Sequence, residues 1–259
     1  MYDDYFKKEE FSPFRSLIGL ITFSTILPFK THTSLEELTR MTWAWPFIQL
    51  VIGVFGALLA LLSINIFHFN TFLTAAIVYG FLLLISGFNH VDGIMDMGDG
   101  IMIHGSPSKK LKAMKDHVVG AGGISTMLII ALLTVGALDN ILDYKFFVGI
   151  VIAEMLTKTS LITTCLTSKP LSSGIGMYFI KATNLINYII STVLVTIVAY
   201  LLGGFVGIFG VLGAILSGAL VSLIAKKNFK VANGDVLGTS SELGRVFALI
   251  FMLIMYVVI

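Results

Sequence analysis

Charge is scarce in this chain. Its 259 residues hold 17 Lys and Arg and 15 Asp and Glu, 12% in all, where soluble domains carry about a quarter. That shortage, with 56% hydrophobic residues and a mean hydropathy of +0.94, excludes a soluble globular domain and implies a polytopic membrane protein. A net charge of +2 gives no electrostatic footprint for nucleic acid, so none is expected as a partner. The single cysteine, Cys165, excludes an intrachain disulfide, and its apolar surroundings make it a packing residue. Long polar blocks are also missing, so residues 1–259 are expected to form one integral membrane domain without a soluble appendage. A cleavable signal peptide is not expected, because Asp3, Asp4, Glu9 and Glu10 mix with Lys7 and Lys8 near the start. No Ser or Thr stands in a His/Asp pattern that would suggest a nucleophilic hydrolase.

Long apolar runs are what the chain does have. A bilayer core needs about 20 apolar residues as a helix. Runs of that order cover 43–63, 71–89, 118–138, 146–166, 184–202, 204–225 and 244–259. The expected fold is therefore all-α, a polytopic membrane bundle of about seven transmembrane helices. An eighth run, 14–29, carries Arg15 and ends at Pro28, and reads as interfacial or re-entrant rather than spanning. With seven spans, Lys30, Arg40, Lys109, Lys110, Lys112, Lys115, Lys169, Lys181, Lys226, Lys227 and Lys230 share one side, with Arg245 just beyond. The opposite loops hold Lys145, so the lysine-rich side is read as cytoplasmic and the protein as a multi-pass protein of the cell membrane. Gly204, Gly207, Gly210 and Gly213, followed by Ser217 and Gly218, read as close helix packing. Trp43 and Trp45 suit an interfacial aromatic belt.

Against that background the polar clusters stand out. Asp92, Asp96 and Asp99 are spaced by four and three, which places them on one helix face with His90 just ahead. Their mutual repulsion calls for a cation, and hard oxygen donors suit Mg²⁺ or Mn²⁺. A solvated helix end is the plainer account, but three acids interleaved with Gly93, Gly98 and Gly100 favour metal-assisted phosphate chemistry. Next, Lys115-Asp116 abuts a glycine-rich helix start at Gly120, Gly122 and Gly123, where free N–H groups and the helix dipole favour a phosphate. Lys109, Lys110 and Lys112 read as anchors beside anionic membrane lipid. Asp235 and Glu242, seven apart, are either acids complementing a helix start or a second carboxylate shore for the same metal. Glu154 and Lys158, at i and i+4 inside a span, form either a self-satisfying pair or a functional intramembrane pair, of which the first is the expectation. Nothing is read into His32, His68 or His104.

These motifs, in this order, resemble the cobalamin synthase (adenosylcobinamide-GDP ribazoletransferase) family. A family motif of the type His-Leu-Asp-Gly-Leu-Ala-Asp-Thr-Ala-Asp-Gly is matched by His90-Val91-Asp92-Gly93-Ile94-Met95-Asp96-Met97-Gly98-Asp99-Gly100. A Met-Lys-Asp-Ser-Arg-Ile-Gly-Ala-Phe-Gly type of motif matches Met114-Lys115-Asp116, Gly120-Ala121 and Gly123, with His117-Val118 where the family has Ser-Arg. Gly234-Asp235-Val236-Leu237-Gly238, followed by Glu242, resembles the Gly-Asp-Thr-Leu-Gly-Ala stretch, and Gly174-Ile175-Gly176 a Gly-Leu-Gly. The resemblance implies a Mg²⁺-dependent transferase of phosphorus-containing groups in cobalamin biosynthesis. GDP-activated cobinamide would be joined to α-ribazole or its 5′-phosphate, with release of GMP. It further implies that Asp92, Asp96 and Asp99 hold Mg²⁺, with Asp116 or Asp235 completing the shell or taking the hydroxyl proton. Lys115 would contact phosphate, and His90 would act as a base or an orienting group. A CDP-alcohol phosphotransferase is the competing chemistry, but its Asp-Gly-x-x-Ala-Arg signature is not met at Asp92-Gly93. A transporter using Glu154 and Lys158 is the competitor from another class. Oligomeric state is open, a homo-oligomer included.

Overall fold

A computed structural model of the chain describes residues 12–29, 33–116 and 118–258. Asp3, Asp4, Lys7, Lys8, Glu9, Glu10, Lys30, His32, His117 and Ile259 lie outside the described residues. The described residues form α1 (Pro13–Ser24), α2 (Leu35–Thr39), a 3₁₀ turn (Thr42–Ala44), α3 (Trp45–Asn65), α4 (Thr71–Ile85), α5 (Asn89–Met102), α6 (Pro107–Ala113), α7 (Ala121–Asp143), α8 (Val148–Thr167), α9 (Gly176–Ala182), α10 (Leu185–Asn228) and α11 (Gly234–Val258). One isolated bridge, Pro170 to Ala232, ties the loop after α8 to the loop after α10.

Five of these helices are long and apolar enough to cross a membrane, and six if the bent α4–α5 pair counts as one span. α10 is the exception to simple counting. At 44 residues it would be about 66 Å long if straight, twice the hydrocarbon core. Within it Gly204 has φ 57° and ψ −141°, a conformation open only to glycine, and the chain reverses there. Tyr188 Oη lies 3.2 Å from Thr163 Oγ1, while Thr164 Oγ1 donates to the Gly218 carbonyl at 2.9 Å. Residues 188 and 218 therefore sit beside the same turn of α8, which a straight helix forbids. With α10 as two arms, 184–202 and 204–225, the count becomes six, or seven if the bent α4–α5 pair is included, roughly consistent with the expectation of about seven. α1, of 12 residues, is about 18 Å long and too short to span.

α8 is the hub. Its most apolar window is 94% buried, against 28% for α7, so nearly every α8 side chain meets protein rather than lipid. α3, α10 and α11 pack around it. Small residues allow the close approach: a Cβ at Gly213 would lie 2.6 Å from the Phe247 carbonyl oxygen of α11. The end of the bundle that carries the site is set by two left-handed residues in succession. Gly87 (φ 66°) and Phe88 (φ 57°) break α4 and turn α5 by 94° across the bundle end. The starts of α3, α7, α10 and α11 and the end of α8 gather there, as Ala232 N–H donating to Lys169 O (2.8 Å) and Ile26 N–H to Ile85 O (2.9 Å) attest.

Candidate active site at the end of the bundle

The helix carrying the three aspartates forms as its spacing requires, but their fates diverge. Asp99 turns into α7: its Oδ2 accepts the Gly120 N–H at 2.6 Å and its Oδ1 the Gly123 N–H at 2.8 Å. A Cβ at Gly123 would stand 2.6 Å from the Met95 carbonyl oxygen, so the glycines admit α5 against the α7 start. The helix start does hold an anion, as its free N–H groups demand, but that anion is the protein's own Asp99. This corrects two expectations. Gly120, Gly122 and Gly123 are covered by α5 rather than open to phosphate, and Asp99 caps a helix with both oxygens instead of joining Asp92 and Asp96. Among the described residues no three His, Cys, Asp or Glu side chains converge as a ready-made metal cage.

Asp92 is exposed and Asp96, one turn on, is half-buried. Across the α5–α11 seam lies Asp235. A Cβ at Gly93 would meet the Asp235 carbonyl oxygen at 2.8 Å, and Thr239 Oγ1 donates to the Gly93 carbonyl at 3.0 Å. Only glycine at 93 lets the two backbones touch, and the contact makes Asp92 and Lys115 the charged neighbours of Asp235. Asn233 Nδ2 donates to Asp235 Oδ2 at 2.5 Å and fixes its rotamer. Asp116 is exposed on the neighbouring loop, its Oδ1 accepting the Val118 N–H at 3.3 Å. Lys115 is exposed beside it.

Deeper in the bundle the charges close on one another. Glu154, Lys158, Glu242 and Arg245 are at most 2% exposed. Arg245 donates through Nε to Glu154 and through Nη1 to Glu242. Gln49 Nε2 donates to the other Glu154 oxygen at 2.8 Å, and Tyr79 Oη to Glu242 Oε2 at 3.4 Å. His90 joins this chain to the rim: Nδ1 lies 3.2 Å from Glu242 Oε1 and Nε2 3.2 Å from Lys158 Nζ. A lysine ammonium can only donate, so Nε2 is the acceptor and the ring proton sits on Nδ1, toward Glu242. Lys158 also donates to Ser241 Oγ at 3.2 Å and lies 5.1 Å from the Trp45 ring centroid.

The expected Glu154–Lys158 pair is thus replaced by two longer-range partnerships, Glu154 with Arg245 and Lys158 with His90. Glu242 likewise does not join Asp235 in one shore, because its carboxylate is enclosed by Arg245, Tyr79 and His90. Trp45 is not in a lipid-facing belt: it is 3% exposed, and its indole N–H donates to Ser24 Oγ at 2.6 Å. It lines a cavity of 280 Å³ together with Phe23, Phe179, His90, Lys158 and Asp235. Arg245 and Gln49 were missed as site residues. A single amide in the apolar run 43–63 was the one local signal that α3 had a buried polar partner.

A sequence family described as cobalamin-5-phosphate synthase matches residues 16–253. A protein of Methanosarcina barkeri named adenosylcobinamide-GDP ribazoletransferase is 32% identical, covering 93% of this chain and 91% of its own. Proteins of the same name from Methanosarcina mazei and Thermoplasma acidophilum are 31% and 33% identical, covering 92% and 93% of this chain and 90% and 92% of their own. No solved structure matches the chain. A match over nearly the whole length, on the helices that build the rim, the cavity and the buried charge network, means that this chain belongs to the cobalamin-5-phosphate synthase family.

Proposed function

We propose that the protein is an adenosylcobinamide-GDP ribazoletransferase, working at the cytoplasmic edge of the cell membrane. It would join GDP-activated cobinamide to α-ribazole or its 5′-phosphate and release GMP. The observation that carries this reading is the seam at Gly93, which packs α5 onto the Asp235 backbone and makes Asp92 a charged neighbour of Asp235, a residue that lines a cavity with His90 and Lys158. Lys109, Lys110, Lys112, Lys115, Lys169, Lys181, Lys226, Lys227 and Lys230 fall at the same end of the bundle, with Lys145 at the other, which supports the cytoplasmic assignment.

The donor set fits Mg²⁺. That ion commonly takes one or two carboxylates and completes its octahedron with water and substrate phosphate, so no three-residue cage is required. Asp92 and Asp96, one turn apart on the same face, would hold it, with Asp99 withdrawn as a cap. When bound, Mg²⁺ supplies charge neutralisation on the diphosphate. The chain's own groups do the rest. Lys115 faces the same space and contacts phosphate oxygens. Asp235, shared by rim and cavity and fixed by Asn233, accepts the proton of the attacking ribose hydroxyl. That oxygen forms its bond to the phosphorus bearing cobinamide as the bond from this phosphorus to the GMP oxygen breaks. Positioning dominates such transfers, and the buried network that holds His90 and Lys158 provides it.

The test is GMP release from GDP-cobinamide by purified protein in detergent, with α-ribazole and Mg²⁺. Asp92→Ala or Asp96→Ala should abolish release while leaving protein yield intact, and chelation should do the same reversibly. Wild-type turnover in either variant would sink the proposed site. No observation favours the transporter reading, since Glu154 is sealed between Gln49 and Arg245.

A further inference from the structure

A second cavity opens where α8 and α10 end. Its 240 Å³ are lined by Ser168, Lys169, Ser222, Lys226 and Lys230, among others. That is the volume of about eight waters, room enough for a phosphodiester. The Ala232 N–H donates to the Lys169 carbonyl and the Leu171 N–H to the Ala232 carbonyl, each at 2.8 Å. The loops after the two helices are thereby tied together, with Lys169 against the segment that follows Lys230. Across the cavity floor Ser168 Oγ donates to Ser222 Oγ at 3.0 Å.

Three lysines line this cavity without an acid among them. Among the described residues no side chain or carbonyl accepts from Lys169, Lys226 or Lys230 Nζ. Ser222 is 5% exposed and accepts from Ser168, which leaves its own proton without an acceptor among the described residues. The helix dipole accounts for Lys226, in the last turn of α10. It does not account for Lys230, whose φ of 67° is the left-handed conformation that favours glycine after a helix. Nor does it account for a buried hydroxyl with an unused proton. Three cations and a buried donor around one cavity call for an anion.

The helix face above the cavity decides what carries that anion. Leu212, Leu216, Leu220 and Leu223 are exposed and share one face of the second arm of α10, a face that continues into Lys226 and Lys230. From 212 to 223 the helix rises about 17 Å, close to half of a hydrocarbon core of about 30 Å. The leucines thus span one leaflet and give way to lysine where headgroups begin. We propose that the cavity binds the headgroup phosphate of an anionic phospholipid, with the acyl chains along the leucine face. A zwitterionic headgroup is disfavoured, because it would bring its own ammonium among the three lysines. The inference rests on the membrane placement of the bundle and not on the transfer reaction.

Native mass spectrometry of the full-length protein in detergent, titrated with phosphatidylglycerol or phosphatidylcholine, tests this without turnover. One phosphatidylglycerol should be retained in preference to phosphatidylcholine. A lysine beside an anionic headgroup is worth about fivefold, so Lys169→Gln, Lys226→Gln and Lys230→Gln together should weaken retention about a hundredfold. Lys109→Gln, Lys112→Gln and Lys181→Gln together, at the same end of the bundle but outside the cavity, should weaken it no more than about fivefold. Lys230→Gly serves if the first triple variant fails to fold. It relieves the left-handed backbone, so the unfolding midpoint without lipid should rise while retention falls about fivefold. Equal losses in the two triple variants would mean diffuse attraction to the bilayer, and equal retention of phosphatidylcholine would mean the leucine face alone; either result overturns the site. Displacement of phosphatidylglycerol by millimolar inorganic phosphate at constant ionic strength would overturn it as well, leaving a site for small anions.

Discussion

The rim and the buried network are built from the same residue types, a few turns apart, and they resolve their charges in opposite ways. On α5 the first two aspartates are left exposed or half-buried, with Lys115 as the nearby cation. Between α8 and α11 every charge closes on a protein partner: Arg245 binds Glu154 and Glu242, and His90 links Glu242 to Lys158. Burial accounts for the difference. A carboxylate in the interior of a membrane bundle has to be enclosed by protein partners, whereas one at the edge keeps its access to solvent. Ionisable residues in an apolar chain therefore divide into those enclosed by protein partners and those open to solvent, and depth separates them better than sequence spacing does.

The comparison breaks most easily at Arg245. Arg245→Met leaves two buried carboxylates without their cation, so it should cost about 3–5 kcal/mol and lower both yield and unfolding midpoint in detergent. Adding Glu154→Gln should recover part of that loss; no recovery would mean that Glu242 alone carries the pairing. Next in size, Gly93→Ala drives a methyl into the Asp235 backbone and parts α5 from α11. A destabilisation of about 1–3 kcal/mol is expected, with a larger fall in GMP release than in stability. Equal falls would show that the seam serves folding only. Asp99→Ala removes a cap worth about 1 kcal/mol, so a lower midpoint with retained turnover is expected. Turnover falling as far as in Asp92→Ala would return Asp99 to the reacting site. The smallest effect belongs to Lys115→Ala, an exposed contact of about 1 kcal/mol, giving roughly a fivefold rise in KM for GDP-cobinamide that shrinks at high salt.

Much of the fold was legible because bilayer crossing is a property of composition. The runs 43–63 and 118–138 are spans wherever they pack, and 184–202 and 204–225 read as separate runs, although Gly204 itself reads as a packing residue and is instead the turn, with open space where a Cβ would stand. The bend at Gly87-Phe88 was not legible, since the run 71–89 stays apolar through it. Within the site, local spacing placed Asp92 and Asp96 on one face. It could not assign Asp99 to α7, because that role depends on how closely two helices approach. The glycine-rich start of α7 was read with the right physics and the wrong anion. Glu154 and Arg245 are 91 residues apart, and no periodicity joins them. Trp45 had the composition of a membrane belt and the position of a cavity wall, a distinction that only α1 and α9 could make.

One consequence of the fold at Gly204 concerns parity. A straight continuation of α10 would make one crossing instead of two, and α11 would then begin on the far side of the bilayer. Asp235 would be separated from Asp92 by the thickness of the membrane, and Arg245 from Glu154. A single backbone conformation without a side chain thus decides whether the two halves of the chain can share a site at all. Any substitution at 204 that unbends the hairpin should register as inverted accessibility of α11 before it registers as lost catalysis.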